Sequence, residues 1–208
     1  MPRLFGTSGV RGVFPERVNP DLMVQVGRAV SSYLGRGTYA LGRDARVSSE
    51  ALCLALASSL MASGSSVADL GLVPIGLTAW SVRRLKLRGG IYVTASHNPP
   101  QYNGFKVFKE GGVEVVSEDE VGIEEAMERA TYAEWEGVGR YSRVDLLDEY
   151  VDELSSLLEP RVSGYKPRVV VDAANGPSVL AVPRVLRELG ASAVVVNGNI
   201  DGRFPGRY

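Results

Sequence analysis

Between Gly89 and Phe108 the chain has room for only one local structure: a strand, a stiff turn and a second strand. Ile91-Tyr92-Val93-Thr94-Ala95 is β-branched, aromatic or small, which suits a buried strand, and Gly89-Gly90 marks the turn that delivers the chain into it. Ser96-His97-Asn98-Pro99-Pro100 cannot extend that strand, because Pro has no amide hydrogen to give a ladder and restricts the residue before it. Asn103-Gly104 makes a second turn, and Phe105-Lys106-Val107-Phe108 returns as a strand. In open α/β sheets ligands gather beyond the carboxyl ends of the strands. A hydroxyl (Ser96), an imidazole (His97) and a carboxamide (Asn98) are therefore well placed for chemistry, with a cation, Lys106, inside the same eleven residues.

The rest of the chain alternates strands and helices. Asn19-Pro20 caps and opens a helix whose apolar face is Leu22, Val26, Ala29, Val30 and Tyr33. Tyr39 to Leu41 is a short strand leading into Gly42-Arg43-Asp44-Ala45-Arg46, and Ser48-Ser49 caps an apolar helix from Glu50 to Ala62. Ser66 to Asp69 is a strand, and Thr78 caps a helix through Leu87. Phe105–Phe108 and Val113–Val116 read as a hairpin across Lys109-Glu110-Gly111-Gly112. Ser117 to Glu120 fits a capping box that opens an acidic helix to Ala130. Tyr132 to Tyr141 has no apolar period and reads as a linker or loop. Val144 to Leu158 is a helix that Pro160 stops. One β-α-β unit follows: strand Arg168–Asp172, helix Ser178–Leu189 and strand Ser192–Asn197. The fold class expected is α/β, with a mixed-sheet first domain over residues 1–140, then a linker helix and a partial second α/β domain over 144–208.

A chain of 208 residues, 45% of them hydrophobic, can build real cores. With 23 basic against 24 acidic residues, bulk charge points to neither a nucleic-acid partner nor a membrane surface. Cys53 is the single cysteine and sits in an apolar helical run, where packing is its simplest role, and this favours a reducing compartment. The N-terminus carries no hydrophobic signal core and no apolar run is long enough to span a bilayer, so a cytoplasmic location is expected.

Taken residue by residue, several of these features have plain readings. His97 is the only histidine, and a single imidazole in a turn is more often solvated than catalytic. Arg43, Asp44 and Arg46 are most simply a salt-bridged turn. Phe5-Gly6-Thr7-Ser8-Gly9-Val10-Arg11-Gly12 fits either an anion-cradling nest or an ordinary glycine-rich turn, and matches neither the dinucleotide fingerprint nor the Walker loop.

Taken together, two strings change the weighting. Thr94-Ala95-Ser96-His97-Asn98-Pro99, followed by Tyr102-Asn103-Gly104-Phe105-Lys106, resembles the phosphoserine loop of the α-D-phosphohexomutase family, which includes phosphoglucomutase, phosphomannomutase and phosphoglucosamine mutase. Phe5 to Gly12 resembles that family's opening motif, in which the residue matching Arg11 faces the phosphoserine. Gly42 to Arg46 resembles a string near the family's active cleft, and Val170 to Gly176 resembles the start of its second domain. The resemblance implies a phosphotransferase that interconverts hexose 1-phosphate and hexose 6-phosphate, with a hexose 1,6-bisphosphate as intermediate and activator. In it Ser96 carries the phosphoryl group, with His97, Lys106 and Arg11 as catalytic partners. Thr7, Ser8, Asn98 and Asn103 would contact substrate or phosphate, and Arg43, Asp44 and Arg46 would stand behind them. Mg2+ would bind Ser96 through its phosphate.

The resemblance covers the first domain and part of the second. The Asp-Gly-Asp-x-Asp-Arg metal loop is absent, so the Mg2+ site is expected to be incomplete and this chain to be inactive alone. The alternative is a non-catalytic truncated paralogue or split-gene subunit that binds a phosphosugar or a partner chain. An open sheet edge in a half-built domain invites self-association, or pairing with a chain that supplies the missing domains.

Overall fold

The computed structural model describes residues 4–6, 9–162 and 164–207. The first sheet contains β1 (Val10–Val13), β2 (Thr38–Arg43), β3 (Ser66–Leu72), β4 (Gly89–Val93), β5 (Tyr102–Lys109), β6 (Val113–Glu114) and β7 (Tyr141–Arg143). Its order is β1-β5-β4-β2-β3-β7, with β6 paired to the end of β5. β2, β3, β4 and β7 run parallel, whereas β5 is antiparallel to β1, β4 and β6, so the sheet is mixed as expected.

Helices α1 (Pro20–Tyr33), α2 (Ser49–Ala62) and α4 (Ser117–Arg129) cover one face, where Met23, Val30, Leu56, Leu60 and Ile123 pack on Val10, Leu41, Ile91, Val93 and Phe105. Helix α3 (Ile75–Arg84) covers the other through Leu77, Trp80 and Val82 against Ala40, Tyr92 and Phe108. Strands alternate their side chains between these two layers, so a residue's position in β4 or β5 decides which core or cleft it faces. Helix α5 (Leu147–Val162) leads to a separate two-stranded parallel sheet, β8 (Arg168–Asp172) and β9 (Ser192–Val196), connected through α6 (Val182–Glu188). Val151 of α5 and Val185 of α6 form the small core there. Among the described residues no helix is long and apolar enough to cross a membrane.

Most boundaries follow the local signals. The Asn19 side chain accepts the Leu22 amide at 2.9 Å, with Pro20 at the first helical position. Where the structure differs, a tertiary contact has overridden a local one. Val10–Val13 is a strand rather than part of a turn, because the edge of β5 offers it a ladder. Thr78 does not cap α3; Pro74, in extended conformation, precedes the first turn, the helix ends at Arg84, and Thr78 is buried one turn inside, facing Gly42. Ser117 is inside α4 and not its cap. The Asp119 carboxylate takes the Val116 amide at 3.0 Å and the Lys109 ammonium at 2.7 Å, which holds Asp119 below the usual carboxylate range.

The expected loop at Tyr132 to Tyr141 ends in β7, a three-residue strand that completes the edge of β3. Helix α5 starts at Leu147, where the Asp145 side chain accepts its amide at 3.1 Å, and continues past Pro160 to Val162. Proline removes one hydrogen bond in that last stretch without forbidding the two residues that follow. The segment Pro177–Leu180 is a 3-10 turn, so α6 begins later than expected.

Candidate active site

Ser96 stands three residues beyond the end of β4, exposed, with φ 57°, in the left-handed region that a non-glycine residue adopts only when its surroundings hold it there. Two backbone turns follow, Asn98 N–H to Ala95 C=O at 3.1 Å and Tyr102 N–H to Pro99 C=O at 3.0 Å. The buried Thr94 hydroxyl accepts the Ser96 amide at 2.9 Å and donates to Asp44 Oδ2 at 2.6 Å. A buried carboxylate thus fixes the amide of the loop's serine through one hydroxyl. Thr94→Val keeps the shape but deletes this relay and strands the Ser96 amide, so it should lower unfolding free energy by about 1–3 kcal/mol. A urea denaturation midpoint equal to that of the parent chain would show that the relay contributes nothing.

Arg46 holds the loop from beneath. Its side chain is fully buried, and it donates five hydrogen bonds, one for every N–H of the guanidinium. Nε bonds Asp44 Oδ2 at 3.1 Å, Nη1 bonds the carbonyls of Pro99 at 2.6 Å and Tyr102 at 2.8 Å, and Nη2 those of Ser96 at 3.0 Å and Asn98 at 2.8 Å. Asp44 also accepts the Arg46 amide at 3.0 Å and the Ser49 hydroxyl at 2.8 Å. A buried ion pair is tolerable only when its remaining donors and acceptors are met, and here they are.

The upper side of the loop opens onto a cleft of about 370 Å³. Tyr92, Thr94, Ser96 and Lys106 line its sheet side, and the start of α3, the 172–178 turn and Phe204 close the rest. Lys106 projects here with its side chain 14% exposed and binds both carboxylate oxygens of Glu114 at 2.9 and 3.0 Å. Burial raises the Tyr92 phenol well above its ordinary value, so it is a neutral donor, satisfied by Val73 C=O at 2.7 Å. On the far wall the Asn197 amide and the Ala174 N–H lower the Asp172 carboxyl, which stays ionised. The cleft therefore joins a hydroxyl on a braced turn, a cation and a carboxylate.

The remaining candidates are distributed unevenly. His97 is exposed beside Ser96, its Nδ1 3.4 Å from the Ser96 hydroxyl. The Asn98 backbone carbonyl is bound by Arg46. Asn103 is fully buried, giving its amide hydrogens to Ser48 at 2.8 Å and Ser49 at 3.0 Å, and accepting the Gly104 amide at 2.8 Å. That carboxamide ties the loop to α2 and is turned away from the cleft. Arg11 lies opposite Gly104 in the β1–β5 ladder, so it leaves the sheet on the same face as Lys106. Arg43 pairs with Glu50 at 3.3 Å and lines a different cavity of about 480 Å³, with Cys53, Asp69 and Tyr141. Thr7 and Ser8 lie outside the described residues. Among the described residues no group of three or more His, Cys, Asp or Glu side chains could hold a metal, and Asp44 is spent on Arg46, Thr94 and Ser49. The described residues alone do not fit Mg2+. Two contributors were given no role by the sequence: Thr94, which stood only as the first residue of the loop string, and Phe204.

The family model for phosphoglucomutase/phosphomannomutase, alpha/beta/alpha domain I, matches residues 2–134. A probable phosphoglucosamine mutase from Methanopyrus kandleri is 42% identical over 209 residues, covering 100% of this chain and 46% of the relative. A phosphopentomutase from Thermococcus kodakarensis is 39% identical over 207 residues, covering 99% of this chain and 45% of its own length. The solved structure of a putative phosphomannomutase from Thermus thermophilus superposes with a TM-score of 0.86 at 30% identity, over 99% of this chain and 48% of that one. The chain thus spans about half the length of the curated relatives it matches. By this match and these relatives, the chain belongs to the α-D-phosphohexomutase family of phosphoglucomutases and phosphomannomutases.

Proposed function

We propose that this chain is the phosphoryl-carrying part of a phosphohexomutase, with Ser96 as the carrier. The observation that carries the reading is the posture of Ser96: an exposed hydroxyl on a turn braced from below by Arg46 and Thr94, at the mouth of a cleft that holds Lys106. Phosphoryl transfer asks a protein chiefly for position and for charge that meets the equatorial oxygens. In the proposed cycle the bond from phosphorus to the Ser96 oxygen breaks as one forms to a sugar hydroxyl. His97 accepts that hydroxyl's proton. After the bisphosphate sugar reorients, the bond between its other phosphorus and the sugar oxygen breaks as a new one forms to the Ser96 oxygen, and the freed sugar oxygen takes the proton back from His97. Lys106 and Arg11 neutralise charge on the transferred group, Asn98 contacts substrate, and Asp44, Arg46 and Asn103 hold the loop. Mg2+ belongs to this reading only with carboxylates beyond the described residues.

The same reading divides the chain into a loop-bearing domain over 1–140 and a linker helix with an incomplete second domain over 144–208. The separate β8–β9 sheet supports that division. A cytoplasmic setting accompanies it. A pentose phosphate is the second substrate reading, and the phosphopentomutase relative favours it.

Incubation of the purified chain with glucose 1,6-bisphosphate, followed by mass spectrometry of the Ser96 peptide, tests the carrier role. The expected result is a phosphoryl group on Ser96 that Ser96→Ala does not acquire, with no net mutase turnover by either chain. A parent chain whose Ser96 stays unmodified would overturn the reading.

A further inference from the structure

We infer that Phe204 is a positioning residue for Ser96, acting through Arg46, so that the seating of the 201–206 segment sets the posture of the phosphoryl-carrying loop. The inference deepens the carrier role proposed above and rests on it for its kinetic consequence.

The Phe204 ring lies over the Arg46 guanidinium with its centroid 5.1 Å from Cζ, and the residue is buried, with 1% exposure. The edges of the guanidinium are taken by Asp44 and four loop carbonyls, which leaves its planar faces for other groups. An aromatic face is the apolar surface that still favours a desolvated cation. Removing the ring would expose or empty that face while the five hydrogen bonds stay chemically intact. Phe204 also borders the cleft beside Ser96 and Lys106.

The position of the ring is set from the second sheet. Phe204 has φ 50°, which a bulky residue rarely adopts, and its amide bonds Asp201 C=O at 3.0 Å. Buried Asn175, in the turn after β8, accepts the Gly206 amide at 2.9 Å on its side chain and the Asp201 amide at 3.1 Å on its carbonyl. On the other side the segment lies directly on the turn that carries Arg46. A Cβ added to Gly202 would sit 2.2 Å from Ala45 O and 2.9 Å from Val47 N. The turn after β8, the 201–206 segment, Arg46 and the Ser96 loop therefore form one unbroken set of contacts. Displacement of the segment would carry the guanidinium with it, and four carbonyls of the loop follow the guanidinium.

The test compares Phe204→Leu, which keeps apolar bulk without a π face, with Phe204→Tyr, which keeps the face. Amide hydrogen exchange is followed in the 96–102 peptides of the 208-residue chain, alongside phosphoryl uptake by Ser96 over a range of glucose 1,6-bisphosphate concentrations. Phe204→Leu is expected to speed exchange at 96–102 about tenfold. It should lower the maximal uptake rate by a similar factor and shift the half-saturating concentration less than about twofold. Phe204→Tyr is expected to restore both, and exchange in α1 should not change. Faster exchange confined to 201–206, with 96–102 unaltered, would overturn the inference. Faster exchange at 96–102 in a protein whose parent takes up no phosphoryl group would leave the positioning intact and sink the carrier role, so the two failures are distinguishable. If Phe204→Leu does not fold, Phe204→Met replaces it and is judged by the same two results.

Discussion

Arg46→Met should lower unfolding free energy by about 3–5 kcal/mol, the cost expected when one partner of a buried ion pair is removed. The size follows from what the substitution leaves behind. Asp44 is buried and loses its counter-charge, and the carbonyls of Ser96, Asn98, Pro99 and Tyr102 lose their shared donor. In a domain of this size the loss should appear as a fall of roughly 10 °C in Tm. Arg46→Lys should do nearly as badly, since an ammonium has fewer donors and no planar fork with which to reach four carbonyls and a carboxylate. The loop should become mobile before the sheet melts, with amide exchange at 96–102 faster than in β4. A Tm within about 2 °C of the parent for both variants, roughly the 1 kcal/mol level in this size range, would mean that the loop holds its shape without Arg46.

The second large effect is expected at Gly104. A Cβ there would lie 1.8 Å from Val10 O, 2.8 Å from Val10 C and 3.0 Å from Arg11 Cα, all of them backbone atoms that no rotamer change can move. Gly104→Ala must therefore push β1 off β5. Overpacking commonly costs about 1–3 kcal/mol, and a clash with backbone belongs at or above the upper end. The loss should be local in its symptom: amides of Val10–Val13 should lose exchange protection while the ladder between β2 and β4 keeps it. Arg11 leaves the sheet on the same face as Lys106, so phosphoryl uptake by Ser96 should fall in parallel with the detachment of β1. Gly111→Ala is the internal comparison. No atom lies within 4 Å of a Cβ added there, though φ is 84°, so only backbone strain of about 1–2 kcal/mol is expected. Equal destabilisation by the two substitutions would show that the clash at Gly104 is relieved without lifting β1.

The residues that organise the loop illustrate why the site was harder to read than the fold. A run of β-branched and aromatic residues followed by Ser-His-Asn-Pro-Pro states its own conformation, because strand propensity and the geometry of proline act within a few residues. The mixed sheet, the Asn19 cap and, but for Asn103-Gly104, which reads as a turn and lies inside β5, the strands on either side of the loop were legible for that reason. Val10–Val13 and Tyr141–Arg143 were not. Neither segment has a pattern long enough to announce a strand, and each becomes one because a neighbouring edge offers unpaired amides and carbonyls. Thr78 and Ser117 are good capping residues by type, yet α3 and α4 each start earlier, where Pro74 and Val116 take the cap positions.

At the site, residue types alone gave Ser96, His97 and Lys106 their chemistry, because a hydroxyl, an imidazole and an ammonium keep their character wherever the chain puts them. Their arrangement came from elsewhere. Arg46 reads locally as half of a surface salt bridge and is in fact buried beneath carbonyls some fifty residues on, with 53 positions separating it from Pro99. Asn103 reads as a ligand and is a buried tie to α2, while Phe204 carries no local sign of its place on Arg46. The sequence by itself determined the strands, the stiff turn, the caps that hold and the chemical character of the exposed groups. Only the tertiary structure decided which charges are buried, which amides are spent on packing and which residues meet across the chain, because hydrogen bonds and desolvation act through space and leave no period in the sequence.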